Sequence, residues 1–366
     1  MTDDSVDPRD GIAVGARKLL AVAAVADARA QLRLKAAVDD FFLPDAARLD
    51  DRTRAALAEL QCRLIDTIES ELRDHAARLL AARGEPMLAA ALEKHGEAVR
   101  PRLLRSGLLR DPELMGELLL RVWQDLLAAL LPGRRADPER PDLINRLIQH
   151  ADRAAAGAAM GVLIAESRRR GASEAGIAGI DLPIEQHHRL VWWVAAALRE
   201  QVAPDTAHAI AALDRALSEA VARNLAGHDE TGRVEAAAMR LAAALDIAPR
   251  ELPDLLLEAL DDRCIPLFIA LIARGLGIDY RAAGEIVLDP AGERLWLALR
   301  ALDLGRDAIA QIGYTLSQAD PRRDLETFAD LLDSITAVTG EEARAALAPL
   351  RLDPACRAAL LALRVA

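Results

Sequence analysis

The stretch Leu276–Leu316, LGIDYRAAGEIVLDPAGERLWLALRALDLGRDAIAQIGYTL, decides the fold because it states one pattern twice. An apolar segment of helical periodicity ends at Leu276-Gly277-Ile278, and another ends at Leu302-Asp303-Leu304, 26 residues later. After each corner a second amphipathic segment begins within two or three residues. The apolar residues of each corner can anchor it in a core, and the Gly or Asp between them permits the bend. The stretch therefore predicts repeated helical hairpins.

A hairpin of this size cannot bury its apolar faces alone, so neighbouring hairpins must stack. A related corner stands upstream at Ala244–Ile247. The segments that begin at Arg63 and Arg189 also match in register, which suggests two related helical halves. Together these patterns predict stacked hairpins in a HEAT-like α-solenoid. Chance similarity in a chain rich in Ala and Leu is the alternative.

Composition favours the same fold class. Hydrophobic residues make up 52% of the 366 residues and aromatic residues only 3%, so the interior must consist mainly of Leu, Ala, Val and Ile. Ala and Leu are strong helix formers, whereas the aromatic residues that favour strands are scarce. An all-α protein follows, and its length suits two helical domains or one extended array.

Helix-start prolines, glycines and polar stretches divide the chain. We predict a disordered N-terminus at 1–10, an N-terminal helical block at 11–170, a linker at 171–182 and a C-terminal HEAT-like block at 183–366. The linker contains three glycines directly after an arginine run, and glycine is unfavourable inside a helix. The predicted helices are 11–42, 51–82, 86–95, 112–131, 141–170, 183–202, 204–225, 230–246, 249–260, 264–275, 280–288, 292–302, 305–318, 322–338, 340–350 and 354–363.

The charge balance argues against polyanionic partners. The formal net charge is −11, and a negative chain is repelled by nucleic acid and by anionic membranes. The compact basic run Arg168–Arg170 is typical of a solvated helix end, where cations complement the helix dipole. We therefore expect neither nucleic acid nor a membrane as partner.

Cysteine usage and the N-terminal sequence predict a cytoplasmic protein. Cys62, Cys264 and Cys356 are far apart and fit no CxxC pattern, so reduced thiols are expected. The first ten residues are polar and acidic, unlike a secretory signal, and no apolar stretch is long enough for a membrane span. The apolar segment Cys264–Ala273 has the length of a buried helix.

Four segments together resemble a known family: RLVWWVAAALRE, LPDLLLEALDDRCIPLFIALIARGLGIDY, EIVLDPAGERLWLALRALDL and ADPRRDLETFADLLD. The chain resembles the alphaproteobacterial domain-of-unknown-function family numbered 2336, in particular its sphingomonad-type members. The resemblance covers residues 40 to 338 and is strongest from 183 onward. It implies a HEAT-like bacterial cytoplasmic protein, and it implies no activity and no site residues.

Candidate catalytic and metal-binding residues have simpler explanations. His187 and His188 are adjacent, so on a helix they point about 100° apart and cannot both chelate one ion unaided. His228 stands in a glycine-flanked connection and is typical of a turn. His75 superficially resembles a phosphoaccepting histidine, but no kinase motif accompanies it. Since neither a GxSxG elbow nor a phosphate-binding loop is present, the sequence predicts no catalytic residue, metal or cofactor.

The leading hypothesis is a non-enzymatic scaffold or regulatory protein that binds an unidentified protein or peptide. Trp192 and Trp193 point about 100° apart, so one can anchor the core while the other contacts a partner. Self-association into a homo-oligomer is also possible, because the C-terminal segment has little polar cover. The candidate partner surface comprises Trp193, Tyr280, Arg281, Tyr314 and Arg322.

A helical-bundle enzyme or small-ligand sensor with a buried pocket is the alternative hypothesis. It requires polar side chains that converge inside the bundle, with His188, His75 and His95 as the first choices. A helix-turn-helix that binds DNA through Leu276–Val287 is disfavoured, because Arg281 is its only basic residue between the corner and Asp289.

Overall fold

The computed structural model describes residues 48–94, 99–133, 141–171, 181–202, 204 and 206–365. Contacts divide the chain into two units, Met1–Arg54 and Ala55–Ala366, and the helical core belongs to the second. Every regular element of the described residues is helical, which confirms the all-α prediction. The predicted terminus 1–10 and helix 11–42 lie outside the described residues, as does most of the predicted linker 171–182.

The described residues form seventeen α-helices. The first seven are α1 (Asp51–Ala82), α2 (Pro86–Glu93), α3 (Val99–Ser106), α4 (Pro112–Leu130), α5 (Leu143–Ile148), α6 (Arg153–Gly171) and α7 (Ile184–Val202). The others are α8 (Ala207–Ala226), α9 (Val234–Ala244), α10 (Leu252–Asp261), α11 (Ile265–Leu276), α12 (Tyr280–Val287), α13 (Glu293–Ala301), α14 (Arg306–Ala319), α15 (Leu325–Ala337), α16 (Gly340–Leu347) and α17 (Pro354–Val365).

The two corners of the repeated stretch adopt the same turn. Gly277 and Asp303 both have left-handed backbone conformations, with φ of +66° and +59°. At each corner the next residue, Ile278 or Leu304, donates its N–H to the carbonyl five residues earlier at 3.1 Å. This six-to-one bond is the signature of a Schellman motif, in which the buried residue after the turn ties down the helix end. The two corners therefore share one backbone geometry.

The third corner seen in the sequence differs from these two. Leu245 ends α9 in an extended conformation with φ of −78°, so no left-handed turn forms there. A matching turn occurs instead at Arg263, where φ is 60° and the N–H of Cys264 bonds to the carbonyl of Ala259 at 2.7 Å. Arginine rarely adopts this conformation, so the sequence did not predict a left-handed turn at this position.

The core of the second unit is centred on α11. The residues from Leu267 to Ala273 are all buried and apolar, and α11 packs against α4, α9, α10, α12 and α13. This confirms the prediction of a buried helix at Cys264–Ala273. No helix in the described part of the chain combines the length and the apolar character needed to cross a bilayer.

Several predicted helix bounds were wrong. The single helix predicted at 141–170 is two helices, because His150 and Asp152 side chains bond to nearby backbone N–H groups and interrupt the helical ladder. α3 was missed, since it buries only Val99 and Leu103 and so shows no extended apolar periodicity. α8 begins after Thr206, which caps it through the N–H of Ala209 at 3.2 Å, rather than at the preceding proline.

Candidate functional site

A solvent-open cleft of about 960 Å³ lies among α1, α6, α7, α8 and the turn that follows α8. Its lining is unusually rich in polar side chains for a protein whose core is Leu and Ala. It contains five arginines, three histidines, one asparagine and four carboxylates. They are Arg78, Arg168, Arg169, Arg223, Arg233, His75, His187, His228, Asn224, Glu71, Asp74, Asp181 and Asp229.

His187 is the most unusual residue in this lining. It lies in the first turn of α7 and is only 2% exposed. Neither ring nitrogen has a hydrogen-bond partner in the structure. The neighbouring Asn224 favours the protonated ring, but its amide oxygen also forms no hydrogen bond of acceptable geometry. A buried polar group without a partner costs about 1–3 kcal/mol, so this arrangement requires an explanation.

The environment of His187 keeps its ring neutral. Burial, and after it the neighbouring His228, lower the pKa of His187 to about 4. The two rings are in contact, with centroids 4.4 Å apart. At neutral pH the ring therefore offers one donor and one acceptor to the cleft, and both are unused.

His228 is held in place by Glu230. Its Nε2 lies 3.3 Å from Glu230 Oε2, and the same oxygen accepts the backbone N–H of Ile184 at 2.9 Å. Glu230 thus joins the turn after α8 to the beginning of α7. This contact positions His228 against His187.

The cleft lining also includes a cationic group that we call the rim: His75 and Arg78 of α1, and Arg223 of α8. Arg223 Nη1 lies 3.2 Å from His75 Nδ1. Burial lowers the pKa of His75, and Arg223 and then Arg78 lower it further. Since the guanidinium donates to Nδ1, we assign the proton of the neutral ring to Nε2.

Part of the lining belongs to a buried charge network, defined as Glu117, Arg169, Asp181, Arg233 and Glu235. Arg169, Asp181 and Arg233 line the cleft. The guanidinium of Arg233 lies 2.6 Å from Glu117 and 3.5 Å from both Asp181 and Glu235. Burial opposes its charge, but these three carboxylates raise the pKa of Arg233 overall.

Arg169 completes the network from α6. It lies 3.4 Å from Glu235 and 3.7 Å from Asp181, and a 3.4 Å contact links it to Asp125. Burial raises the pKa of Glu235, and the neighbouring Asp181 raises it further, whereas Arg169 and Arg233 oppose this rise. The network thus joins α4, α6 and α9 by mutual charge compensation.

The five residues of the predicted partner surface lie on four parts of the chain, because only Tyr280 and Arg281 share a helix, α12. Trp193 is half-buried, and its neighbour Trp192 is 41% exposed. Tyr280 is also half-buried and donates its hydroxyl to Gln124 at 3.0 Å. The other three keep some exposure: Arg281 bonds to Glu285, Tyr314 is 50% exposed, and Arg322 bonds to Asp320. Each of these hydrogen bonds leads to a residue outside the set of five.

The histidines named for a buried pocket also lie apart. His75 lines the cleft, but His188 is exposed and accepts a hydrogen bond from Trp192 Nε1 at 3.2 Å. His95 lies outside the described residues. Sequence reasoning missed the combination of His75 with Arg78, although their spacing of three residues places them on one helical face. No group of metal-ligating side chains occurs among the described residues.

Comparison with known proteins relates the chain to a bacterial family. The family model described as "Uncharacterised protein conserved in bacteria (DUF2336)" matches residues 136–348, which is more than half of the chain. This span includes the cleft residues of α6, α7 and α8, whereas the rim residues of α1 precede it. No curated protein and no solved structure is significantly similar to the chain.

Proposed function

We propose, for a chain that belongs to the bacterial family DUF2336, that its function is to bind a small polar ligand in the cleft. The observation that carries this proposal is His187, whose two ring nitrogens are buried without partners. A ligand that supplied an acceptor and a donor would satisfy both. The cleft volume of about 960 Å³ lies within the range of small-molecule sites.

Binding is proposed rather than catalysis because of what the cleft histidines contact. His75 contacts Arg223 and His228 contacts Glu230. Among the described residues, no cleft histidine is hydrogen-bonded to a Ser, Thr or Cys, the pairing that activates a nucleophile. A sensor or regulatory protein fits this arrangement best, and we propose that it acts in the bacterial cytoplasm.

The test is equilibrium dialysis of the purified protein against a small-molecule extract of bacterial cytosol, with mass spectrometry of the retained compounds. His187→Phe keeps the ring and removes both nitrogens. His188→Phe is the matched control, since it makes the same change one residue along, outside the cleft. We expect a compound retained by the wild type and by His188→Phe but not by folded His187→Phe. Equal retention by all three proteins, or retention of nothing, would refute the proposal.

A second function, the binding of a protein or peptide partner, is favoured by one exposed face of α7. Ile184, His188, Trp192 and Ala196 follow one another at intervals of four residues and are all exposed. Trp192 supplies the large aromatic side chain typical of an interface anchor. We propose this face as the partner surface in addition to the five residues selected from sequence, and self-association is one form that its use can take.

Sedimentation velocity and affinity capture test this second proposal. Trp192→Ala should abolish a dimer or a captured partner that the wild type shows, whereas Leu331→Ala, which removes an exposed apolar side chain outside α7 and outside the five residues, should retain it. A complex that persists in Trp192→Ala would show that this face of α7 is not the partner surface.

We also propose that the hairpins α11–α12 and α13–α14 are copies of one HEAT-like repeat. The supporting observation is the pair of equivalent turns at Gly277 and Asp303. Gly277→Asp places in the first copy the residue that the second copy has at this turn. If the two turns are equivalent, this change should cost less stability than Gly277→Val, because Asp tolerates the left-handed region better than a β-branched residue. Equal losses in thermal unfolding would contradict the equivalence.

A further inference from the structure

We infer that the ligand of the cleft carries a phosphate-type anionic group, which the rim residues His75, Arg78 and Arg223 hold. This inference rests on the proposed function and adds the chemical class of the ligand. The proposed ligand is a small phosphorylated compound whose other polar groups reach His187.

The first supporting observation is that the rim arginines are not paired with carboxylates in the part of the chain that the structure describes. Arg78 and Arg223 are exposed, and neither forms an ion pair within 4.0 Å among the described residues. Their shared neighbour is His75, whose lowered pKa reflects both guanidinium charges after burial. The two guanidinium charges outweigh the opposing carboxylate of Glu219 at this imidazole, so they repel each other, and an anion would relieve that repulsion.

The second support is that most nearby carboxylates are already engaged. Glu71 accepts a hydrogen bond from Asn224 at 2.5 Å, and Glu219 lies 2.6 Å from Arg83. Asp229 accepts the Thr231 hydroxyl at 2.7 Å and lies 3.5 Å from Arg168. Asp74 is the remaining carboxylate of the α1 lining, so two arginine charges face one uncommitted acid.

The third support is the geometry of the donors. Planar guanidinium groups match the oxygens of phosphate and can each donate two hydrogen bonds to it. Neutral His75 presents its Nε2 proton as a further donor. His187 lies in the same cleft and offers a neutral donor and acceptor, which suit a hydroxyl or amide elsewhere in the same ligand.

The experiment is isothermal titration calorimetry with inorganic phosphate and with glycerol 3-phosphate, at low ionic strength and neutral pH. The double substitution Arg78→Gln/Arg223→Gln, which we call the rim variant, removes the two rim charges from exposed positions. Arg215→Gln/Arg250→Gln removes the same charge from exposed positions outside the cleft and is the control. Acetate serves as the carboxylate probe.

We expect the wild type and the control to bind phosphate with dissociation constants within about twofold of each other. The rim variant should bind at least about tenfold more weakly, because it loses charge-assisted hydrogen bonds. Glycerol 3-phosphate should bind more tightly than phosphate, and His187→Phe should remove that advantage while leaving phosphate binding unchanged. Acetate should bind more weakly than phosphate.

Three results would overturn the inference: phosphate binding that survives the rim substitutions, acetate binding as tight as phosphate binding, or no phosphate binding by the folded wild type. The two proposals can fail separately. If dialysis retains a His187-dependent compound that carries no anionic group, the inference on ligand class fails and the proposed function stands. If no compound depends on His187 but the rim binds phosphate, the proposed function fails, and phosphate binding is reduced to a surface property of the arginines.

Discussion

The charge network and His187 are neighbouring buried polar regions that differ in ionic compensation. Both contain buried polar atoms without a hydrogen bond, which in the network belong to Arg169, Asp181, Arg233 and Glu235. Each charged side chain of the network lies within 4.0 Å of an opposite charge, and Arg233 alone contacts Glu117, Asp181 and Glu235. His187 is equally buried, yet it has no ion pair among the described residues, and its ring nitrogens form no hydrogen bond of acceptable geometry even with the neighbouring Asn224. Folding therefore accounts for the network, because its members stabilise one another. It does not account for His187, which is why we assign that residue to a ligand.

Breaking the network should have the largest effect. Arg233→Met leaves the carboxylates of Glu117, Asp181 and Glu235 buried with less compensation. We expect the free energy of unfolding to fall by about 3–5 kcal/mol in urea titrations. Arg250→Met changes an exposed arginine and should cost no more than about 0.5 kcal/mol. A loss below about 1 kcal/mol for Arg233→Met would mean that the network contributes little.

His187→Phe should act in the opposite direction. It removes two unsatisfied polar atoms from a buried position and keeps an aromatic ring of similar size. We expect the free energy of unfolding to rise by about 2 kcal/mol, the order of the penalty for an unpaired buried group. His188→Phe, at an exposed position, should change stability by less than about 0.5 kcal/mol. A marked destabilisation by His187→Phe would show that its nitrogens have structural partners.

The lowered pKa of His187 should make stability depend on pH. Its folded pKa of about 4 lies below its ordinary value of 6.5, so the unfolded chain binds this proton more readily. The contribution to stability is complete above pH 6.5 and is lost as the pH falls towards 4. Between about pH 7.5 and about pH 5.5 the wild type should lose about 1.3 kcal/mol more than His187→Phe does. His228, His188 and Glu230 face this ring, and they remain in both proteins, so the comparison isolates His187.

Tyr280→Phe should have the smallest effect of the four. It removes the hydroxyl that donates to Gln124, whose side chain is almost completely buried beside the network. The expected cost is about 1 kcal/mol in urea unfolding. Tyr314→Phe is the matched control, because Tyr314 is half exposed and its hydroxyl accepts an exposed hydrogen bond from Gln318 at 2.6 Å, which water can replace. If both substitutions cost the same, the contact with Gln124 is not specific.

Local signals predicted most of the helices and several of their ends. Asp111 and Asp279 cap α4 and α12 through backbone N–H groups at 2.8 and 2.7 Å, as their positions before apolar segments indicate. Gly277 and Asp303 predicted two equivalent corners, and both are left-handed. These features depend on residues close together in the chain, so the sequence contains the necessary information.

The cleft depends on contacts that sequence spacing does not contain. His75, His187 and Arg223 come together only because α1, α7 and α8 meet. The adjacent pair His187 and His188 shows most clearly what sequence spacing cannot predict, since one ring is buried and the other is exposed. Helical geometry predicted that they diverge, but not that His187 would be left without a partner. The spacing of His75 and Arg78 places both on one helical face, although their combination was missed, and Arg223 could not be added without the fold.

The ionisation of His187 in the ligand-free protein tests the proposed cleft most directly, and it can be measured by long-range proton–nitrogen NMR of the histidine rings, assigned with His187→Phe. We predict a ring that stays neutral down to about pH 4, with nitrogen shifts typical of weakly hydrogen-bonded imidazole. A ring that becomes protonated near its ordinary pKa of 6.5 or above would contradict this result. It would show that His187 already has a partner in the folded protein and that the cleft does not need a ligand to satisfy it.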